Sequence, residues 1–217
     1  MPFNKTFGVD LGTSAVKIYA KDQDTVITEK NMIAIRSRNQ ILAVGNEAYS
    51  IFEKNPSNVS VISPMSNGRI ADINHTEMIL NALLDKAGAG SVFGNDIYLA
   101  VPTDLSEIEQ RAYYTIGNSS RKNKVYMVDK TIADAVAMGV PVNKTRGSMI
   151  VNIGSQSTEI SIIERGKVIL SKIVEIGGSQ LNQAIINEVR KNFNLHIGSR
   201  TARRLKFSLA YLKYDPQ

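Results

Sequence analysis

Residues 7–19, FGVDLGTSAVKIY, hold the side chains most suited to chemistry. Asp10 ends an alternating apolar run, and Gly12, Thr13 and Ser14 break it before a second run at Val16, Ile18 and Ala20. That pattern predicts strand, tight turn, strand. Backbone N–H groups and hydroxyls in a tight turn form a concave anion site. A carboxylate beside it can hold the metal that accompanies a polyphosphate. An ordinary N-terminal hairpin fits the same residues. Residues 149–174 repeat the design, with NIGSQSTE at 152–159 as the second turn.

The elements that must position these turns follow from the pattern around them. Thr25–Thr28 predicts a third strand, and Ile33–Ile35 with Ile41–Val44 predicts another hairpin. A short helix is expected over Glu47–Phe52 and a loop over Pro64–Gly68. Asn74 or Thr76 can cap a helix that runs to about Lys86. Ile97–Val101 and Val125–Val128 predict strands. Ser106 with Glu109 three residues on predicts a capping box. Thr131–Met138 predicts a helix closed by Gly139 and Pro141. Ser179 can cap a helix to about Asn192, and Thr201–Leu212 predicts one more. Alternating strands and helices imply an α/β sheet with helices on both faces.

Composition narrows the chemistry. The 217 residues include no Cys and two His, so thiolate chemistry and Cys- or His-based metal sites are not expected. No apolar run reaches the ~18 residues of a spanning helix. The N-terminus MPFNKTFGVD lacks an apolar signal core, and a cytoplasmic location is expected. The net charge is +6, and the acid-free stretch from Arg190 to Lys213 holds Arg190, Lys191, Arg200, Arg203, Arg204, Lys206 and Lys213. Such a patch suits nucleic acid, an anionic membrane or an acidic partner, or is a solvated helix face. Phe193, Phe207, Tyr211 and Tyr214 have helical spacing that suits a core better than base stacking, so nucleic acid is not favoured.

DLGTS at 10–14 resembles the first phosphate loop of the actin, sugar-kinase and DnaK-chaperone superfamily. ILAVGNEA at 41–48, PMSNGRIAD at 64–72 with Thr76-Glu77, VPTDLSEIEQRA at 101–112 and the segment 176–202 resemble the MreB/Mbl family of bacterial actins, in the family's order. The resemblance implies an actin-like (ribonuclease H-like) α/β fold. Its first domain would be complete over 1–146, with a small insertion at 34–74, and its second domain partial over 147–217. It implies ATP or ADP with Mg²⁺, held by Asp10, Gly12, Thr13, Ser14, Lys17, Gly154, Ser155, Gln156, Ser157, Thr158 and Lys206, with Asp10 and Asn152 toward the metal. Lys17 can equally be a solvated strand lysine.

The chain departs from the family pattern at the chemistry. The family writes DIGGGTTE where this chain writes NIGSQSTE, so Asn152 replaces the metal-organising Asp, and Ser155 and Gln156 bring side chains that would crowd the phosphates. The family's Glu-Glu-Pro aligns with Asp129-Lys130-Thr131. Lys130 therefore stands where a carboxylate would orient the attacking water, and a protonated Lys cannot accept a proton. Asp129, one residue away, is the fallback acid. Arg203 and Arg204 replace acidic residues after Thr201-Ala202, removing a carboxylate partner for ribose. The resemblance then implies a cell-shape cytoskeletal protein whose partners are other protomers in a filament, the inner membrane surface and cell-shape membrane proteins, with hydrolysis impaired. The alternatives are an active ATP-hydrolysing actin homologue or, more distantly, a sugar kinase or chaperone ATPase domain. Val92 and Phe93 lie in a Gly-rich loop, and the matching family loop carries apolar residues that enter the membrane. They are expected to place the protein peripherally at the membrane's inner face, although folding back onto the neighbouring helix is the other reading.

Overall fold

The computed structural model describes residues 4–36, 40–54, 57–90, 94–119 and 123–210. β1 (Lys5–Leu11), β2 (Ala15–Ala20) and β3 (Thr25–Lys30) form an antiparallel meander. Next come β4 (Ile33–Arg36), β5 (Gln40–Val44), α1 (Asn46–Lys54) and β6 (Val59–Ile62), a small sheet in the order β5-β4-β6. It has its own core of Ala34, Ala43 and Ala48. β6, with Val59 and Val61 on either side of Ser60, is a strand that the sequence reading did not find.

The expected loop at 64–68 is instead a short hairpin, β7 (Met65–Ser66) and β8 (Arg69–Ile70), joined at Asn67 and Gly68. Both joining residues have positive φ, 50° and 80°. α2 (Ile73–Lys86) is capped by Asp72, whose side chain accepts the His75 amide, and not by Asn74 or Thr76. A carboxylate at that position also meets the positive end of the helix.

β9 (Asn95–Val101), α3 (Glu107–Gly117), β10 (Lys124–Asp129) and α4 (Lys130–Ala137) complete the larger sheet, in the order β10-β9-β1-β2-β3. β1, β9 and β10 are parallel, so their carboxyl ends, at Asp10, Ala100 and Asp129, lie on one edge. Open parallel sheets bind ligands there. α3 begins with the expected box of Ser106 and Glu109. One face of the sheet, Phe7, Val9, Leu11, Val16, Ile18, Ile97 and Leu99, is buried against α2 and α3. The other face meets only α4, among the described residues, and Tyr19, Val26, Tyr98 and Tyr126 stay exposed there. Helices on both faces were expected; here the second face is covered at one end only.

β11 (Arg146–Ile153), β12 (Thr158–Glu164) and β13 (Lys167–Val174) form a second antiparallel meander like the first. α5 (Gly178–Phe193) and α6 (Ser199–Leu209) follow. α5 is preceded by Gly177, not Ser179, because the chain leaves the meander in an extended turn there. One face of this sheet packs on α4 through Ile150, Ile163 and Ala135. Among the described residues nothing covers the opposite face, where Met149 and Ile153 are both 68% exposed and Val151 and Leu170 are exposed beside them.

Candidate functional site

The two meanders present matching turns to one cleft. In the first, Asp10 lies opposite Lys17, and Gly12 N donates to Ala15 O at 3.0 Å. In the second, Asn152 lies opposite Glu159, and Gly154 N donates to Ser157 O at 2.8 Å. A Cβ on Gly12 or Gly154 would come within 2.7 or 2.8 Å of those carbonyl oxygens, so each turn requires glycine. Asn31, fully buried, steadies the first turn by donating Nδ2 to Gly12 O at 2.9 Å. The cleft between the turns is about 240 Å³. Asp10, Gly12, Thr13, Ser14, Lys17, Asn152, Gly154, Ser155 and Ser157, all singled out in the sequence, line it.

Lys130 enters from the first residue of α4, and its Nζ lies 2.6 Å from Asp10 Oδ1. Lys17 Nζ lies 2.9 Å from the other oxygen, Oδ2. Burial pushes the Asp10 carboxyl up, but the Lys130 ammonium, helped by Lys17, outweighs it and holds the group below its ordinary value. Asn152 donates Nδ2 to Asp134, a carboxyl that burial pushes up. Asp129, the fallback acid, is engaged elsewhere. Its Oδ1 caps α4, accepting the Thr131 and Ile132 amides, and also accepts the Thr103 hydroxyl at 2.9 Å.

Three of the expected binding residues lie away from this cleft. Gln156 turns to the β7–β8 hairpin and accepts the Asn67 amide. Thr158 donates its hydroxyl to Ile176 O at 2.6 Å, tying down the end of the second meander. Lys206 donates Nζ to Gly178 O at 2.9 Å, at the start of α5. Val92 and Phe93 lie outside the described residues. The structure adds Glu159, buried on the cleft wall, with Oε1 accepting the Thr103 amide and the Ser171 hydroxyl. It also adds a second cavity of about 220 Å³ against the same turns, lined by Lys30, Asn31, Ser179 and Arg203, with no acidic residue. Glu159 could have been found as the register partner of Asn152. No local sequence signal brings Lys30 and Arg203 together.

The family model described as MreB/Mbl protein matches residues 4–217. The cell shape-determining protein MreB of Escherichia coli K12 is 33% identical over 214 residues, which is 95% of this chain and 62% of that protein. The cell shape-determining protein Mbl of Bacillus subtilis is 30% identical, over 96% of this chain and 63% of its own length. The chain thus spans less than two thirds of these relatives. Among solved structures, MreB5 of Spiroplasma citri bound to ADP superposes with a TM-score of 0.86 at 24% identity, covering 98% of this chain and 64% of that one. A MamK double helical filament gives 0.79 at 15% identity, covering 97% and 66%. The fold is therefore the actin-like one, partial relative to those structures. With a family match from residue 4 to the last, on a scaffold whose paired turns face one cleft, the chain belongs to the MreB/Mbl family.

Proposed function

We propose that this chain is a nucleotide-binding cytoskeletal protein of the cell-shape type, forms filaments and hydrolyses ATP slowly or not at all. One observation carries the reading: two equivalent glycine turns face each other across a cleft that also holds Lys17 and Lys130. Turn amides and hydroxyls suit phosphate oxygens, and lysines suit their charge. The relatives' names supply the cell-shape role, and the ADP-bound MreB5 and the MamK filament support nucleotide binding and self-association.

Slow hydrolysis follows from what surrounds the place where water would attack. Lys130 is paired with Asp10 and, as a cation, accepts no proton. Asp129 is held at the helix cap, where its Oδ1 accepts the Thr131 and Ile132 amides and the Thr103 hydroxyl. A general base typically contributes ~10²–10⁴-fold, so turnover falls toward background without one. The Mg²⁺ expected from the resemblance fits poorly. Asp10 already carries two ammonium groups, and Asn152 is neutral and turned toward Asp134. Residues 1–146 would form the first domain and 147–217 the beginning of the second. The membrane surface, reached through Val92 and Phe93, remains the partner besides other protomers.

Purified protein with ATP tests the reading by two measurements, equilibrium binding and phosphate release. Binding without turnover is the expected result. Absence of ATP and ADP binding overturns nucleotide recognition, and turnover equal to an intact bacterial actin overturns the impaired-hydrolysis part. Lys130→Glu with Asn152→Asp is expected to raise the rate.

A further inference from the structure

This inference rests on the nucleotide reading and concerns what accompanies the phosphates. A polyphosphate brought by Mg²⁺ needs oxygen ligands, usually one or two carboxylates, around an ion that gives up its waters reluctantly. The cleft has two lining carboxylates. Asp10 has an ammonium on each oxygen, at 2.9 and 2.6 Å. Glu159 has Oε1 engaged by the Thr103 amide at 3.2 Å and the Ser171 hydroxyl at 3.0 Å. Asn152, in the place equivalent to Asp10, is uncharged and donates to Asp134. Among the described residues no group of three or more His, Cys, Asp or Glu is placed to hold a metal. A dication here would meet Lys17 and Lys130 as like charges.

We propose that the site binds its nucleoside polyphosphate without a divalent cation, and that Lys130 Nζ, anchored on Asp10 Oδ1, supplies the positive charge in the metal's place. An ammonium has three N–H donors. One is spent on Asp10, which leaves two for phosphate oxygens. Lys17 offers a second such group from the neighbouring strand. Lys30 and Arg203, in the adjoining cavity against Thr13, Ser14, Ser155 and Gln156, give the combined site an excess of cations. Lys130 is mostly shielded from solvent, its side chain 21% exposed, and it is fixed at the start of α4. The charge is thus preorganised.

Calorimetric titration of the 217-residue chain with ATP and ADP, in excess EDTA and in excess MgCl₂, tests this. Binding in EDTA at least as tight as in excess MgCl₂, where Mg²⁺ withdraws free nucleotide from solution, is expected. Binding weaker by about tenfold or more in EDTA overturns the inference and leaves the nucleotide reading standing; no binding in either medium overturns both. Lys130→Arg is expected to keep the metal independence, and Lys130→Glu to lose binding in EDTA and recover it with Mg²⁺. If Lys130→Glu fails to fold by circular dichroism, wild type remains decisive through manganese paramagnetic resonance. With the nucleotide bound by excess protein, the six-line signal of free Mn²⁺ is expected to persist. Its disappearance overturns the proposal.

Discussion

Gln156 Oε1 accepts the amide of Asn67 at 2.9 Å, across 89 residues of chain. The next amide, that of Gly68, donates to Thr13 Oγ1 at 2.9 Å. One short hairpin thus bonds to both glycine turns, and the Gln156 side chain, expected to crowd the phosphates, leaves the cleft to make this tie. A net hydrogen bond is worth about 0.5–1.5 kcal/mol, so Gln156→Ala and Thr13→Val are each expected to lower unfolding stability by about 1 kcal/mol. Urea midpoints measure it. A double mutant whose loss differs from the sum of the single losses would place the two contacts in one coupled unit.

Gly68→Ala is expected to cost more than either. Its φ is +80°, and a Cβ would lie 2.9 Å from Ser157 Oγ. Side chains incompatible with a positive φ destabilise by more than about 1 kcal/mol. Thermal unfolding of Gly68→Ala beside wild type is the check, and an unchanged midpoint would refute the close approach.

Acid should weaken the tie between β8 and α3. Arg69 is ion-paired with Glu109. Burial raises the Glu109 carboxyl, but Arg69 and Ser106 outweigh it and bring the group from its ordinary 4.5 down to about 2. A depressed carboxylate stabilises the fold above its unfolded value. Its contribution is lost as pH falls from 4.5 toward 2. Wild type should lose stability faster than Glu109→Gln across that window, and salt should shrink the difference because the pair is partly exposed.

Asp129 separates cap from catalyst. Asp129→Ala is expected to cost about 0.5–2 kcal/mol by uncapping α4, while Asp129→Asn keeps most of it. Phosphate release should be the same in Asp129→Asn as in wild type. A drop in rate without a drop in stability would return Asp129 to the chemistry.

Val92 and Phe93 are tested in solution. Burying each side chain in lipid supplies about 1.5–3 kcal/mol, enough to matter when repeated along a filament. Co-sedimentation with anionic liposomes should fall in Val92→Ser/Phe93→Ser. Equal sedimentation would remove the loop as anchor, and release by DNA at physiological salt would assign the basic stretch to nucleic acid.

Much of the frame was legible because local patterns carry it. Alternation of apolar residues gave both meanders, and Ser106 with Glu109 marked α3. The glycines at 12 and 154 marked the turns because the backbone leaves no room for a Cβ. Two caps were misplaced: Asp72 won over Asn74 and Thr76 among competing polar residues, and Gly177, extended and without a side-chain cap, begins α5 in place of Ser179. The destinations of long side chains were not legible. Gln156 and Thr158 sit beside the second turn in sequence and Lys206 lies on α6, yet their polar ends bond to Asn67, Ile176 and Gly178. Those choices depend on backbone brought in from elsewhere in the chain.

The uncovered face of β11–β13 bears on how the isolated chain behaves in solution. Met149, Val151, Ile153 and Leu170 leave apolar side chains side by side in water. At low ionic strength the net charge of +6 keeps molecules apart. Added sulfate screens that repulsion and also strengthens the apolar attraction. The chain should therefore salt out at modest sulfate concentrations, and an environment-sensitive dye such as ANS should brighten on it while it is still folded.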